Sequence, residues 1–179
     1  MSPFTYAGIG ARKTPPEMLE TVKTVAAELA KHGATLRSGG AYGADEAFED
    51  GHRIGMPNGP KEIFIPWNGF QSRSSKERGV MLPPEETYKA AQELAANHHP
   101  YWGKLSGAVK ALMVRNSFQI FGPSMDDPVK FMLCYTEHGL GLGGTGQAIR
   151  ICRAHGIPYF DLAVTELPVL AAKIEELLQ

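Results

Sequence analysis

The sequence has only two cysteines, Cys134 and Cys152, and both lie in apolar surroundings ("FMLCY" and "AIRICRA"). This usage indicates buried thiols and a reducing compartment, and it excludes a fold held together by several disulfides. A chain of 179 residues suits one domain, which buries about 70% of its unfolded surface. Neither disulfides nor metals are therefore required for stability.

Neither sign of charge is in excess. The chain has 18 basic and 19 acidic residues and a net charge of −1. A globally cationic protein that coats duplex DNA is therefore excluded, and any contact with phosphate must be local.

Long hydrophobic runs and a targeting segment are also missing. The N-terminal stretch "MSPFTYAGIG" has neither a charged nor a continuous apolar region, and no apolar run approaches the ~20 residues of a membrane span. These patterns predict a soluble, cytoplasmic protein without a membrane partner.

The best-known cofactor motifs are missing as well. Neither His-Glu-x-x-His nor Cys-x-x-Cys occurs, and the adjacent His98 and His99 have no second cluster, so no metal site is expected. The loop "GIGARK" is not the Gly-x-Gly-x-x-Gly of an NAD dehydrogenase, and no P-loop is present. We expect no external cofactor.

What the sequence does show is an alternation of strand and helix signals. Strands are predicted at Phe4–Ile9, 34–37, Lys61–Trp67, Val129–Thr136 and 157–163. Helices are predicted at 15–32, from Gly43, at Pro84–Asn97, at Lys104–Asn116, after the glycine-rich stretch "GLGLGGTGQ", and from Thr165. Such alternation with apolar strands predicts an α/β fold: a Rossmann-like three-layer sandwich around a mostly parallel sheet. We expect one domain over residues 1–179, with an insertion at about 68–116.

Helix boundaries have their own signals. Thr14, Pro15 and Glu17 match a capping box with proline at the first helical position, and Gly33 is a typical stop. Thr165 is expected to cap the last helix.

Three glycine-rich loops follow predicted strands: "GIGARKTPP", "RSGGAYGAD" and "GLGLGGTGQ". The carboxyl ends of parallel strands share one edge of a sheet, and glycine lets backbone N–H groups at a helix N-terminus converge on an anion. The predicted phosphate- or nucleotide-binding residues are Gly8, Gly10, Arg12, Arg37, Ser38, Gly39, Gly40, Gly143, Gly144, Thr145, Gly146 and Gln147.

The segments "YAGIGARKTP", "RSGGAYGADEAFEDG" and "GGTGQAIRICRAHGIPYF" carry a resemblance to a known superfamily. It unites DNA processing protein A (DprA/Smf) with the Lonely Guy phosphoribohydrolases, and the chain most resembles the small stand-alone, phage-type DprA-like proteins. The resemblance implies a nucleotide- or nucleic-acid-binding Rossmann-like fold with a phosphate near Thr145. Gln147 and Ala148 stand where Lonely Guy enzymes carry glutamates.

Asp45 and Glu46 are the catalytic candidates, because they follow the second glycine loop. Either could contact ribose hydroxyls or act as a general acid or base at a glycosidic bond. The alternative is that they are ordinary acidic partners of a helix N-terminus.

Several further side chains have two interpretations. Arg37 either binds phosphate or pairs with Asp45. Trp102, Arg115 and Asn116 are possible base contacts, although an aromatic residue there also suits the core.

Three functions remain open at this stage. The first is nucleotide binding, with cleavage or transfer at an N-glycosidic bond if the protein is an enzyme. The second is a non-catalytic module for single-stranded nucleic acid, favoured by the basic loop Arg73–Arg78. The third is a binding protein for a signalling nucleotide. A homo-oligomer is expected by analogy with the fold.

Overall fold

The computed structural model describes residues 3–179 of the chain. Met1 and Ser2, which open the stretch searched for a targeting signal, lie outside the described residues. Along the chain the elements are β1 (Thr5–Gly10), α1 (Pro16–Lys31), β2 (Thr35–Ser38), α2 (Ala44–Gly55), β3 (Lys61–Phe64), β4 (Val80–Met81), α3 (Glu85–Asn97), α4 (Gly107–Phe121), β5 (Phe131–Tyr135), α5 (Gly143–Ala154), β6 (Tyr159–Asp161) and α6 (Leu167–Leu178).

The six strands form one sheet in the order β4-β3-β2-β1-β5-β6. Every pairing between neighbours is parallel. Parallel strands are joined by crossover connections, which pass over one face of the sheet or the other. Helices in these connections therefore cover both faces. The predicted α/β, Rossmann-like three-layer sandwich is confirmed.

The alternation of side chains along β5 shows how the layers are built. All five residues of β5 are buried. Phe131 and Leu133 face the core shared with α1, α2 and α6. Met132 and Cys134 face the opposite core, which contains the apolar side of α5. A third cluster packs α3 and α4 against Phe64 of β3.

Both cysteines are buried and unpaired. Burial raises the pKa of Cys152 to about 12, so its side chain is a protonated thiol that packs as a small apolar group.

The first helix begins one residue later than its capping signal predicts. Pro15 is extended at the N-cap position, because a residue that precedes a proline is driven out of the helical region. The Thr14 hydroxyl donates instead to the carbonyl of Ala11 at 2.7 Å, so the predicted capping box is wrong. Thr165 is also not a cap, since Glu166 holds that position before α6. Gly33, with φ of 81°, follows α1 as predicted.

Two other boundaries differ from the sequence prediction. Ser106 caps α4 by accepting from the N–H of Val109 at 3.3 Å, and the helix runs on to Phe121. Strand β4 was not predicted, because two residues are too few for a periodic signal. Within residues 3–179, no helix combines the length and apolar character needed to cross a membrane.

Candidate functional site

The sheet has a switch point at β1. Its neighbours are β2 on one side and β5 on the other, and the helices that follow β1 and β5 lie on opposite faces. Loops that diverge in this way open a crevice at the carboxyl ends of the strands. A cavity of about 390 Å³ lies there, and we call it the switch-point cleft. Its walls are Ile9, Gly10, Ala11, Arg12, Lys13, Ala41, Asp45, Leu112, Met113, Arg115, Asn116, Leu142, Gly143, Gly144 and Thr145.

The N-terminus of α5 forms one wall of the cleft. The N–H of Gly146 is the first to bond within the turn, to the carbonyl of Leu142 at 3.1 Å. The N–H groups of Gly143, Gly144 and Thr145 have no hydrogen-bond partner among residues 3–179. These orphan donors and the helix dipole together attract an anion.

Gly146 shows why this turn needs glycine. A Cβ at this position would lie 1.9 Å from the carbonyl oxygen of Gly141, which is far inside van der Waals contact. Gly146 is not among the residues that line the cleft, but it allows the tight turn that presents the three free N–H groups.

Asp45 joins two of the glycine loops. Its carboxyl group accepts from the N–H of Gly10 at 3.1 Å and from the N–H of Ala41 at 3.3 Å. The side chain is buried. Burial raises the pKa of Asp45, and the nearby Arg115 guanidinium and the backbone donors offset part of that rise.

Arg115 forms the cationic floor of the cleft. Its Nη1 donates to the carbonyl of Gly39 at 2.6 Å, and its guanidinium lies 5.3 Å from the centroid of the Phe70 ring. The Nε atom is buried and has no partner within the described part of the chain. Burial lowers the pKa of Arg115, and the charge of Asp45 counteracts this.

Asn116 connects α4 to α5. Its Nδ2 donates to the carbonyl of Gly144 at 3.0 Å and to Oε1 of Gln147 at 2.9 Å. Gln147 in turn donates to the carbonyl of Ala95 in α3. Gln147 is thus buried behind the cleft, where it fixes the position of the anion-binding turn.

Arg12 and Lys13 lie at the rim of the cleft and are exposed. Neither has a carboxylate within ion-pair distance in the part of the chain that the structure describes. With Arg115, they place three cationic groups against the one carboxyl of Asp45, so the cleft favours anions.

Arg37 is not part of this site. Its side chain is buried, donates from Nε to Glu62 at 2.5 Å, and bonds both the carboxylate and the carbonyl of Asp127. Asp127 belongs to the connection that leads into β5, at the opposite end of the sheet from the cleft. Both predicted roles for Arg37 are therefore corrected: it neither lines the cleft nor pairs with Asp45.

The remaining predicted residues of the first two loops have packing roles. The Ser38 hydroxyl donates to the carbonyl of Gly8 at 2.7 Å. A Cβ at Gly8 would clash with the Phe48 ring at 2.5 Å, and one at Gly39 would clash with Arg115 at 2.7 Å. Gly40 has φ of 64° and lies outside the lining.

Two other candidates lie away from the cleft. Glu46 is exposed on α2 and is not among the lining residues. Trp102 packs against the cluster of α3 and α4, with Nζ of Lys110 lying 5.6 Å from its ring centroid. The predicted base contact at Trp102 is therefore not at this site.

Sequence reasoning missed four large apolar residues that line the cleft: Leu112, Met113, Leu142 and Ile9. The first two come from α4, whose placement over the carboxyl ends of the strands has no signal in the sequence. The exposure of Leu142 has one, because it lies between glycines in "GLGLGG".

Comparison with solved structures shows a likeness of fold. The chain is similar to DNA processing protein A from Helicobacter pylori, whose structure is described as giving insights into its unique single-stranded DNA binding mode. The match has 15% sequence identity, covers 97% of this chain and 81% of that chain, and has a TM-score of 0.48. No protein-family model and no curated protein matches the chain.

Proposed function

We propose that the protein binds the phosphate of a nucleotide unit in the switch-point cleft, without chemistry, and that single-stranded nucleic acid supplies this unit. One observation carries the proposal. Three free N–H groups at the start of α5 and the buried guanidinium of Arg115 line the same cavity.

A phosphate group fits this combination better than a carboxylate or a neutral ligand. Its oxygens can accept from several converging N–H groups at once, and its charge complements both the helix dipole and the guanidinium. Asn116 and Gln147 hold the start of α5 in place before any ligand arrives, so little reorganisation is needed on binding.

The rim favours a strand over an isolated small molecule. Arg12 and Lys13 extend the cationic surface beyond the cavity. Tyr42 is 54% exposed and follows Ala41, which lines the cleft. Its neighbour Gly43 packs against the backbone of Arg12. Cationic groups beside an exposed aromatic ring suit the backbone and the bases of a single strand.

The loop Arg73–Arg78 is not part of this surface, because none of its residues lines the cleft. The guanidinium of Arg73 is paired with Glu49 and Glu77, and Arg78 donates to the carbonyl of Asn58. The cationic contacts we propose are therefore those of the cleft itself.

Cleavage of an N-glycosidic bond is less well supported by the site. Among the lining residues, Asp45 is the one carboxyl group, and each of its oxygens accepts from a backbone N–H. A carboxyl that braces two loops is poorly placed to activate water or to stabilise a developing positive charge. We therefore assign Asp45 a positioning role.

A free nucleotide is the second candidate ligand. A volume of about 390 Å³ falls in the range of small-molecule sites, and the apolar side chains of Ile9, Leu112 and Met113 could pack against a base. A signalling nucleotide would bind in this way without turnover.

Fluorescence anisotropy with single-stranded oligonucleotides of increasing length, and competition by mononucleotides, distinguishes these ligands. We expect the affinity to rise with oligonucleotide length and to fall with salt. A plot of the logarithm of the binding constant against the logarithm of the salt concentration should have a slope of about −0.7 for each phosphate contacted. Mononucleotide binding as tight as strand binding would favour the second candidate. Chromatography of the recovered ligand checks for chemistry: intact ligand is expected, and released base would overturn the binding-only proposal.

A further inference from the structure

A second cavity lies directly beside the switch-point cleft. It has a volume of about 480 Å³ and is lined by Gly139, Leu140, Gly141, Gly146, Ile149, Arg150, Arg153, Tyr159, Asp161, Val164 and Thr165. We call it the far cavity. Gly141 lines the far cavity, and Leu142 and Gly143 line the cleft. The linings of the two cavities therefore adjoin at the Gly141–Leu142 peptide bond.

The segment Gly139–Gly143 separates the two cavities, and we call it the crest. Its three odd-numbered positions are glycines with φ of 68°, 61° and 65°, in the left-handed region that other residues rarely adopt. The two residues between them, Leu140 and Leu142, are 63% and 70% exposed. The glycine alternation therefore holds two large apolar side chains out into solvent.

Hydrogen bonds and packing hold the crest in a fixed position. The N–H of Gly141 donates to the Thr136 hydroxyl at 3.1 Å, and that hydroxyl donates to the buried carboxylate of Asp161. Asp161 also accepts from the N–H groups of Thr136 and Ala163. Gly139 packs closely against Val164. The exposed leucines thus stand on a fixed segment.

Arg150 supplies a cation on the far side of the crest. Its Nε donates to the carbonyl of His98 at 2.8 Å, and its Nη1 lies 3.5 Å from the position of a Cβ at Gly146. No carboxylate pairs with it among residues 3–179. The neighbouring Arg153 is already engaged, because its Nε and Nη2 both donate to the Tyr159 hydroxyl.

We propose that a single strand crosses the crest, with one phosphate in the switch-point cleft, a second phosphate on Arg150 in the far cavity, and the intervening bases against Leu140 and Leu142. This rests on the proposed function and deepens it, since it names a second subsite and the path of the strand between the two cavities. The two cavities supply the cationic groups that a backbone requires, and the crest supplies the apolar surface that suits base faces.

The phosphate part is tested with Arg150→Gln, which keeps a donor for His98 and removes the charge. Arg53→Gln is the matched control, because Arg53 is an exposed arginine on α2 that pairs with Asp50. Anisotropy is measured with a mononucleotide and with single strands of two lengths. We expect Arg150→Gln to lower the affinity for the longer strand by about fivefold to tenfold and to leave the affinity for the mononucleotide unchanged. The salt dependence of binding to the longer strand should become shallower by about 0.7 in its logarithmic slope.

The base part is tested with strands of equal length that carry or lack bases. The natural chain should prefer the strand with bases, and the double variant Leu140→Ser, Leu142→Ser should reduce that preference to the part that the exposed Tyr42 ring supplies. An unchanged preference, or an Arg150→Gln variant that binds long strands as the natural chain does, would overturn the crossing. Failure of the natural chain to bind any strand would instead overturn the proposed function, so the two failures are distinguishable.

Discussion

The carboxyl group of Asp45 accepts a hydrogen bond from the backbone N–H of Gly10, 35 residues earlier in the chain, at 3.1 Å. This bond joins the end of β1 to the start of α2, and it fixes the first glycine loop at the mouth of the cleft. A buried carboxyl in this role has consequences for stability that can be measured.

The first prediction concerns Asp45→Asn. Burial raises the pKa of Asp45 above its ordinary value of 3.8, so the folded chain holds this proton more tightly than the unfolded chain. Its contribution to stability is complete below about pH 3.8 and is lost as the pH rises through the folded pKa. The difference in unfolding free energy, natural chain minus variant, should therefore fall as the pH rises from about 3.8 through the folded pKa of Asp45. A difference that grows with pH would show that the ionised form is the favoured one.

The second prediction concerns Arg37→Met, which tests the reassignment of Arg37. Removal of the guanidinium leaves Glu62 and Asp127 without their partner, and we expect a loss of about 1–3 kcal/mol in unfolding free energy. Oligonucleotide affinity should stay within about twofold, because Arg37 lies outside the cleft.

Arg53→Met is the control for this measurement, since its exposed pair with Asp50 should contribute less than about 1 kcal/mol. A selective loss of ligand binding in Arg37→Met would restore Arg37 to the site.

The contrast between Arg37 and the glycine loops shows what the sequence could predict. The loops follow parallel strands, whose carboxyl ends share one edge whatever the details of packing, so Gly10 and Gly143–Thr145 could be placed together in advance. The direction of the Arg37 side chain depends on strand parity and on two carboxylates far away in sequence, Glu62 and Asp127. Neither leaves a local pattern.

The placement of α4 is a similar case. Arg115 and Asn116 could be named as candidates, but their contacts with Gly39 and Gly144 arise only from long-range packing. The expected insertion at about 68–116 stays a prediction. That segment supplies β4, α3 and the first part of α4.

The third prediction concerns His52, which is buried on α2. Burial is the main cause that lowers the pKa of His52, and the charge of Lys61 lowers it further while that of Glu49 raises it. The folded protein favours the neutral His52 ring. The contribution of His52 to the free energy of unfolding is therefore present above about pH 6.5 and is lost as the pH falls through the folded pKa.

Urea unfolding of the natural chain and of His52→Gln checks this. The advantage of the natural chain should shrink as the pH is lowered from about 8 to about 5. A constant difference over that range would show that His52 does not titrate on unfolding.

The N-terminus of α5 is tested most directly by a pair of substitutions at Thr145, one to Asp and one to Asn. The two side chains have the same size, and a carboxylate in the first turn is favourable for the helix itself, so the variants should fold alike. Thr145→Asp places a negative charge at the proposed phosphate position, whereas Thr145→Asn places a neutral amide there.

The decisive measurement is the affinity of a fluorescent single-stranded oligonucleotide for Thr145→Asp relative to Thr145→Asn at low salt. Repulsion between the carboxylate and the bound phosphate should make the oligonucleotide affinity of Thr145→Asp at least about tenfold weaker than that of Thr145→Asn. Added salt should reduce this difference in affinity. Equal affinities for the two variants at every salt concentration would contradict the binding of phosphate at the start of α5.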